Sequence, residues 1–212
     1  MGAIIPYASR TGTKRNLDGL RARGWRLLVS ATGVLRTEGF PYAIDNGAWT
    51  SFQQGHPIDL VLFMRALMLL GTGADWVALP DIVAGGRASL ALSLEWMRRT
   101  LCLTERVLIP VQDGMVVDDV RPFLGHNVGV FVGGDPRTNW KEETVPMWAT
   151  ACRAAGAWCH VGRVNSQRRI HLCAAGATSV DGTSATKYAV ELPKLHRAIA
   201  QPSFTFDMEP RK

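Results

Sequence analysis

Cysteine is scarce and unpaired in this sequence. Cys102, Cys152, Cys159 and Cys173 form no C-x-x-C pair. That excludes a ribbon-type zinc site and a disulfide framework, and leads us to expect a reducing compartment. Long apolar runs are also missing. The longest, Leu60 to Leu70, is interrupted by Arg65 and falls well short of the roughly 20 residues that cross a bilayer. The first residues do not read as a charged segment followed by an apolar stretch, so no secretory signal and no membrane partner are expected. No linker, low-complexity tract or second domain is visible. No G-x-G-x-x-G follows the first apolar run, which argues against a doubly wound dinucleotide-binding sheet. No histidine stands at a predicted strand end in a ligand pattern, so no metal site is expected.

What is present is ordinary for a soluble globular chain of 212 residues: 47% hydrophobic and 20% charged. The balance is basic, with 24 Lys and Arg against 18 Asp and Glu, giving a net charge of +6. This is weak evidence for a polyanionic partner. One pattern recurs along the chain: a helical stretch, a glycine, a short apolar run, then a polar residue. Gly24, Gly73, Gly125, Gly156 and Gly176 each stop a helix ahead of such a run. The runs predict eight strands, at residues 3–7, 26–30, 42–44, 76–79, 107–109, 128–132, 158–161 and 178–180. Helices are predicted over 16–23, 57–70, 88–101, 117–124, 140–155, 166–174 and 187–199, with Pro57 in a first helical turn. No helix is expected between the second and third strands, over 31–41. Eight strands in βα order predict the α/β class and a compact (β/α)8 TIM-type barrel. We expect one catalytic domain over residues 1–201 and a C-terminal tail over 202–212.

In a parallel barrel the C-terminal strand ends open onto one face, where sites form. Those ends carry Asp45 (Asp-Asn-Gly47), Asp81 (Leu-Pro-Asp81), Gln112 with Asp113, Gly133-Gly134-Asp135, Arg163, and Asp181 in Val-Asp-Gly182. Each has a plainer reading. Asp-Gly and Asp-Asn-Gly are turn formers, Pro-Asp can cap a helix, and Gly-Gly can be a tight loop. Taken together the plain readings are less comfortable, because carboxylates crowded into one cleft are costly unless used. Glycosyl transfer is one use. It needs a carboxylate nucleophile at an anomeric carbon and a second group for the leaving group's proton. An Asp and a Gln amide could read the edges of a guanine leaving group.

In their order, Asp45-Asn-Gly47, Asp81, Val111-Gln112-Asp-Gly114, Gly133-Gly134 and Asp181 resemble the motifs of the tRNA-guanine transglycosylase superfamily. Ser9 to Asn16, Asp45 to Trp49, Leu79 to Ile82 and Val161 to Ser166 are similar to its phage and bacterial DNA-modifying branch, the DpdA-type 7-deazaguanine transglycosylases. The resemblance implies a pentosyltransferase that exchanges guanine in DNA for a 7-deazaguanine base such as 7-cyano-7-deazaguanine, with no cofactor. It implies a cytoplasmic protein, in the host cytoplasm if phage-encoded. By motif, Asp181 would be the nucleophile on C1′, and Asp45 the proton donor and acceptor. Asp81, Gln112, Gly133 and Gly134 would hold the base. The sequence departs from the tRNA enzymes in having no three-cysteine-one-histidine zinc site after the nucleophile, in its shorter length, and in Asp113 where those enzymes have glycine.

Exchange at C1′ requires the nucleotide to leave the stack. Basic residues just past strand ends could hold the backbone: Arg10, Lys14, Arg15, Arg163, Arg168, Arg169 and Lys187. A solvated charged surface is the plainer reading of each. Trp49, beside Asp45, could stack on a base or fill core, and the other tryptophans are expected to pack. Three other readings stay open: the same exchange on tRNA, a non-catalytic nucleic-acid-binding barrel that partners an enzyme, and a barrel hydrolase or lyase for a small anionic substrate. A homo-oligomer or partner protein is equally open.

Overall fold

The computed structural model describes residues 3–9, 11, 13–135, 137–174, 176–188 and 190–201. The proposed tail, 202–212, lies outside the described residues. Eight strands close a parallel barrel in sequence order: β1 Ile5–Ser9, β2 Arg26–Ser30, β3 Tyr42–Asp45, β4 Val77–Ala78, β5 Val107–Val111, β6 Val128–Val132, β7 Cys159–Val161 and β8 Ser179–Gly182. β8 pairs back onto β1, with Tyr7 opposite Asp181. The α/β class and the (β/α)8 barrel are as the strand pattern predicts.

Alternation along each strand sorts the side chains into two layers. On β5, Val107, Ile109 and Val111 join the layer between barrel and helices, with Leu20, Trp148 and Leu195. Leu108 instead packs inside the barrel with Tyr7, Leu28, Ala43, Trp76 and Ala78. A separate outer patch sets Ile44 and Val77 against Phe63, Ala66 and Leu67. Burying each such side chain contributes about 1.5–3 kcal/mol, and the interior is packed rather than hollow. At the N-terminal end Arg26 pairs with Asp75 at 2.6 Å, and Asp75 also accepts from the Tyr7 hydroxyl at 2.8 Å. The open end is the opposite one.

Among the described residues the helices are α1 Lys14–Arg21, α2 Ala48–Gln53, α3 Leu60–Leu70, α4 Arg87–Leu101, α5 Val117–Val120, α6 Trp140–Ala154, α7 Gln167–Cys173, α8 Ser184–Lys187 and α9 Glu191–Ala200. Residues 31–41 hold no helix, as expected. Four expectations need correction. β1 lies two residues later than its apolar run, because Ala8 and Ser9 continue the pairing with β2. β5 runs on through Pro110 to Val111, where the apolar run was expected to stop at Ile109. Pro57 is not in a helix: the Asp59 side chain caps α3 by accepting from the Val61 and Leu62 amides at 3.0 and 2.9 Å, which sets the start at Leu60. The last predicted helix starts at Glu191 rather than Lys187, with Pro193, which has no amide hydrogen, accommodated in the first turn of α9, and the short α8 precedes it.

Candidate active site

The inward positions at the C-terminal strand ends meet in one cavity of about 560 Å³. Its walls include Asp45, Trp49, Asp81, Gln112, Gly133, Gly134, Arg163 and Asp181. The structure thus gathers all the proposed catalytic and base-holding residues. Leu28, Ala78, Pro110 and Phe131 add apolar wall beneath them.

Asp181 stands one residue before the end of β8 with only 6% of its surface exposed. Each carboxylate oxygen has a nitrogen neighbour. Oδ1 accepts from the Arg163 amide at 3.2 Å, and Oδ2 lies 3.0 Å from His160 Nε2. His160 is fully buried, and its Nδ1 lies 2.7 Å from Ser179 Oγ, which in turn accepts from Trp158 Nε1 at 2.7 Å. Burial holds the imidazole below its usual pKa. Gly162, between His160 and Arg163, must be small. A Cβ there would stand 2.6 Å from the Phe131 ring and 3.3 Å from Asp181 Oδ2. Behind it, Lys141 is buried with Nζ donating to the Gly162 carbonyl at 2.7 Å. Burial, then the charge of Arg163, lowers its amine to about 8.

Asp45 ends β3. Burial, followed by the charges of Asp181 and Asp81, raises its carboxyl to about 7, against hydrogen bonds from the Gly47 amide and the Ser30 hydroxyl. Gly47 starts α2 in the left-handed region at φ 82°, and a Cβ would lie 2.6 Å from Thr32 Cγ2. Between them, Asn46 donates from Nδ2 to Asp81 Oδ1 at 2.7 Å and to the Leu79 carbonyl at 2.6 Å, while its own oxygen caps Ala48. Burial raises Asp81 to about 6, opposed by this Asn46 bond and by Arg163.

Gln112 is buried, but its amide nitrogen is committed to the Ile82 carbonyl at 3.0 Å and to Ser89 Oγ at 2.7 Å. What it can offer a ligand is therefore its carbonyl oxygen, not the donor. Asp113 accepts from the Asp135 amide and from Thr138 Oγ1, both at 2.7 Å, and so braces the Gly133-Gly134 loop.

No protein-family model matches the chain, and no curated protein matches it.

The proposed backbone contacts divide. Lys14, Arg15, Arg168 and Lys187 are exposed near the strand-end face. Arg10 lies outside the described residues. Arg163 is not on the open rim. It stands at φ 56°, donates to the Gly134 carbonyl, and lays its guanidinium 4.4 Å over the Trp49 ring. Arg169 is held by Glu142 at 2.7 Å. One face of Trp49 is thus already covered by a cation, an arrangement worth roughly 0.5–2 kcal/mol. Trp25, Trp76 and Trp148 are buried, while Trp96, Trp140 and Trp158 are partly so.

Sequence reasoning passed over His160, Ser179, Asn46 and Lys141. The first two carried a signal: they are polar residues inside apolar strand runs, and Ser179 is two places from Asp181, on the same face. Lys141 carried none, since a lysine in a first helical turn reads as solvent-facing.

Proposed function

We propose that this protein is a guanine transglycosylase acting on DNA, exchanging guanine for a 7-deazaguanine base. The observation that carries the reading is a pair of inward aspartates in one cavity with unlike surroundings. Asp181 has a backbone amide on one oxygen and a buried imidazole nitrogen on the other, and Asp45 is pushed up to about 7 by burial and acidic neighbours. Such divergence separates a nucleophile from an acid–base group.

In the first half-reaction an Asp181 oxygen attacks C1′ of the deoxyguanosine and forms a glycosyl ester. The C1′–N9 bond breaks, its electron pair goes to guanine, and neutral Asp45 gives the base a proton. The 7-deazaguanine then enters and loses its N9 proton to the Asp45 carboxylate. N9 attacks C1′, and Asp181 leaves as carboxylate. Two inversions retain configuration. Asp81 and the Gln112 oxygen accept hydrogen bonds from a base, which suits the N–H-rich edge of guanine. The cavity has the size of an ordinary small-molecule site, roughly 300–1,000 Å³, so the nucleotide must enter flipped or from a single strand.

The test is incubation with DNA and 7-cyano-7-deazaguanine, nuclease digestion, and mass spectrometry of the nucleosides. We expect a deazaguanine deoxynucleoside from wild type and none from Asp181→Asn. Unchanged exchange by that variant would reject the mechanism, and product from tRNA but not DNA would reject the substrate.

A further inference from the structure

We propose that His160 is a positioning residue: a one-way chain of hydrogen bonds from Trp158 through Ser179 to His160 fixes Oδ2 of Asp181 and leaves Oδ1 to attack the sugar. This rests on the reading of Asp181 as nucleophile. The chain's direction follows from its two ends, the indole and the carboxylate. An indole N–H can only donate, so Ser179 Oγ, 2.7 Å from Trp158 Nε1, is an acceptor there. The hydroxyl's single proton is then free for His160 Nδ1, also at 2.7 Å. A neutral imidazole that accepts at Nδ1 carries its proton on Nε2, which faces Asp181 Oδ2 at 3.0 Å. The other tautomer would set two lone pairs against each other at that distance.

A satisfied core histidine is the plainer reading, and two observations weigh against it. The ring is clamped in place by aromatic neighbours, with Trp76 at 4.5 Å, Phe131 at 4.8 Å and Tyr7 at 5.8 Å between centroids. An apolar ring would fill that space without the cost of burying an imidazole. The chain also ends on a cavity carboxylate rather than on structural backbone. His160 and Ser179 are paired across β7 and β8, so the barrel's own register sets the geometry.

The consequence is chemical. Oδ1, held by a single backbone amide at 3.2 Å, forms the bond to C1′. Oδ2 becomes the ester carbonyl and keeps its N–H. When the entering base displaces the sugar, negative charge returns to the carboxylate and the same N–H receives it. His160 therefore acts through Asp181 and touches no substrate.

The experiment compares His160→Phe, His160→Gln and Ser179→Ala with wild type, and reads the His160 tautomer by nitrogen-15 NMR. Phenylalanine keeps the ring's packing and removes the donor. We expect kcat to fall about ten- to a hundredfold, as for a misaimed reacting group, with KM for DNA and base unchanged. Glutamine restores an N–H and should recover part of the loss. Wild type should show the proton on Nε2, and Ser179→Ala, which frees the ring to turn, should lower kcat in the same direction. Wild-type kcat in the phenylalanine variant, a proton on Nδ1, or losses that follow melting temperature with no rescue by glutamine would each overturn the proposal. A wild type that exchanges no base overturns the functional reading beneath it, a result distinct from an active wild type indifferent to His160.

Discussion

Asp45 is held where its charge is unwelcome. Burial and the neighbouring Asp181 and Asp81 raise it to about 7 from an ordinary 3.8. The sign of its effect on stability follows. A carboxyl whose folded pKa lies above the unfolded value favours folding while protonated, so its contribution is whole below about 3.8 and is lost as pH rises toward 7. Asparagine carries no charge and nearly the same shape. Asp45→Asn should therefore melt higher than wild type at pH 7 and above, with the difference closing as pH falls toward 4. Thermal unfolding across that range checks this. A variant less stable than wild type at pH 8 would mean that the Gly47 and Ser30 hydrogen bonds outweigh the repulsion. The expected gain in stability with loss of chemistry is the usual trade at a functional group. Asn46 shows the complementary economy: one amide side chain steadies Asp81, satisfies Leu79 and opens α2.

At the scale of elements, the ends of β7 and β8 depend on one small residue between them. Gly162→Ala would put a Cβ 2.6 Å from Phe131, whose ring is packed against His160 and Trp76. We expect a cost of about 1–3 kcal/mol in chemical denaturation, together with reduced base exchange, because the Cβ also reaches 3.3 Å from Asp181 Oδ2. An unchanged denaturation midpoint would show that Phe131 shifts freely. The same strands explain what could be read from the sequence. Short apolar runs, five of them behind helix-stopping glycines, marked all eight strands, because a parallel barrel buries both faces and leaves near-continuous apolar segments. Polar residues at their ends then pointed to one cavity. Short helices escaped, since α2 and α8 rest on caps and tight turns rather than on apolar periodicity. His160 escaped because its partners come together only when β7 and β8 align. Gln112 was read as an amide facing a ligand, whereas its donors are spent on Ile82 and Ser89, a contact across the β4 and β5 loops that no local pattern displays.

At the scale of the whole molecule, an acidic cavity opens on a face carrying exposed cations, in a chain of net charge +6. Under the proposed function the two signs would serve different parts of a nucleotide. The cations suit phosphates, and the carboxylates suit the sugar carbon and the N–H edge of a base. Lys14 is 92% exposed in its side chain and pairs with Asp18 at 3.0 Å, a surface pair worth about 0–1 kcal/mol that a phosphate can displace. Arg168 is exposed on α7. Arg169, its neighbour, already neutralises Glu142. DNA binding should therefore weaken steeply with salt, the logarithmic slope being about −0.9 per duplex phosphate neutralised and about −0.7 per single-strand phosphate. Replacing both Lys14 and Arg168 with alanine should flatten that slope by about 2, since each cation removed leaves a phosphate to its counterions. Arg169→Ala should leave it nearly unchanged. Fluorescence anisotropy of labelled DNA over a salt series measures all three. A flat slope in wild type, or a slope that Arg169→Ala alters as much as the double variant, would remove the rim from DNA binding while leaving the cavity's chemistry to be judged by base exchange.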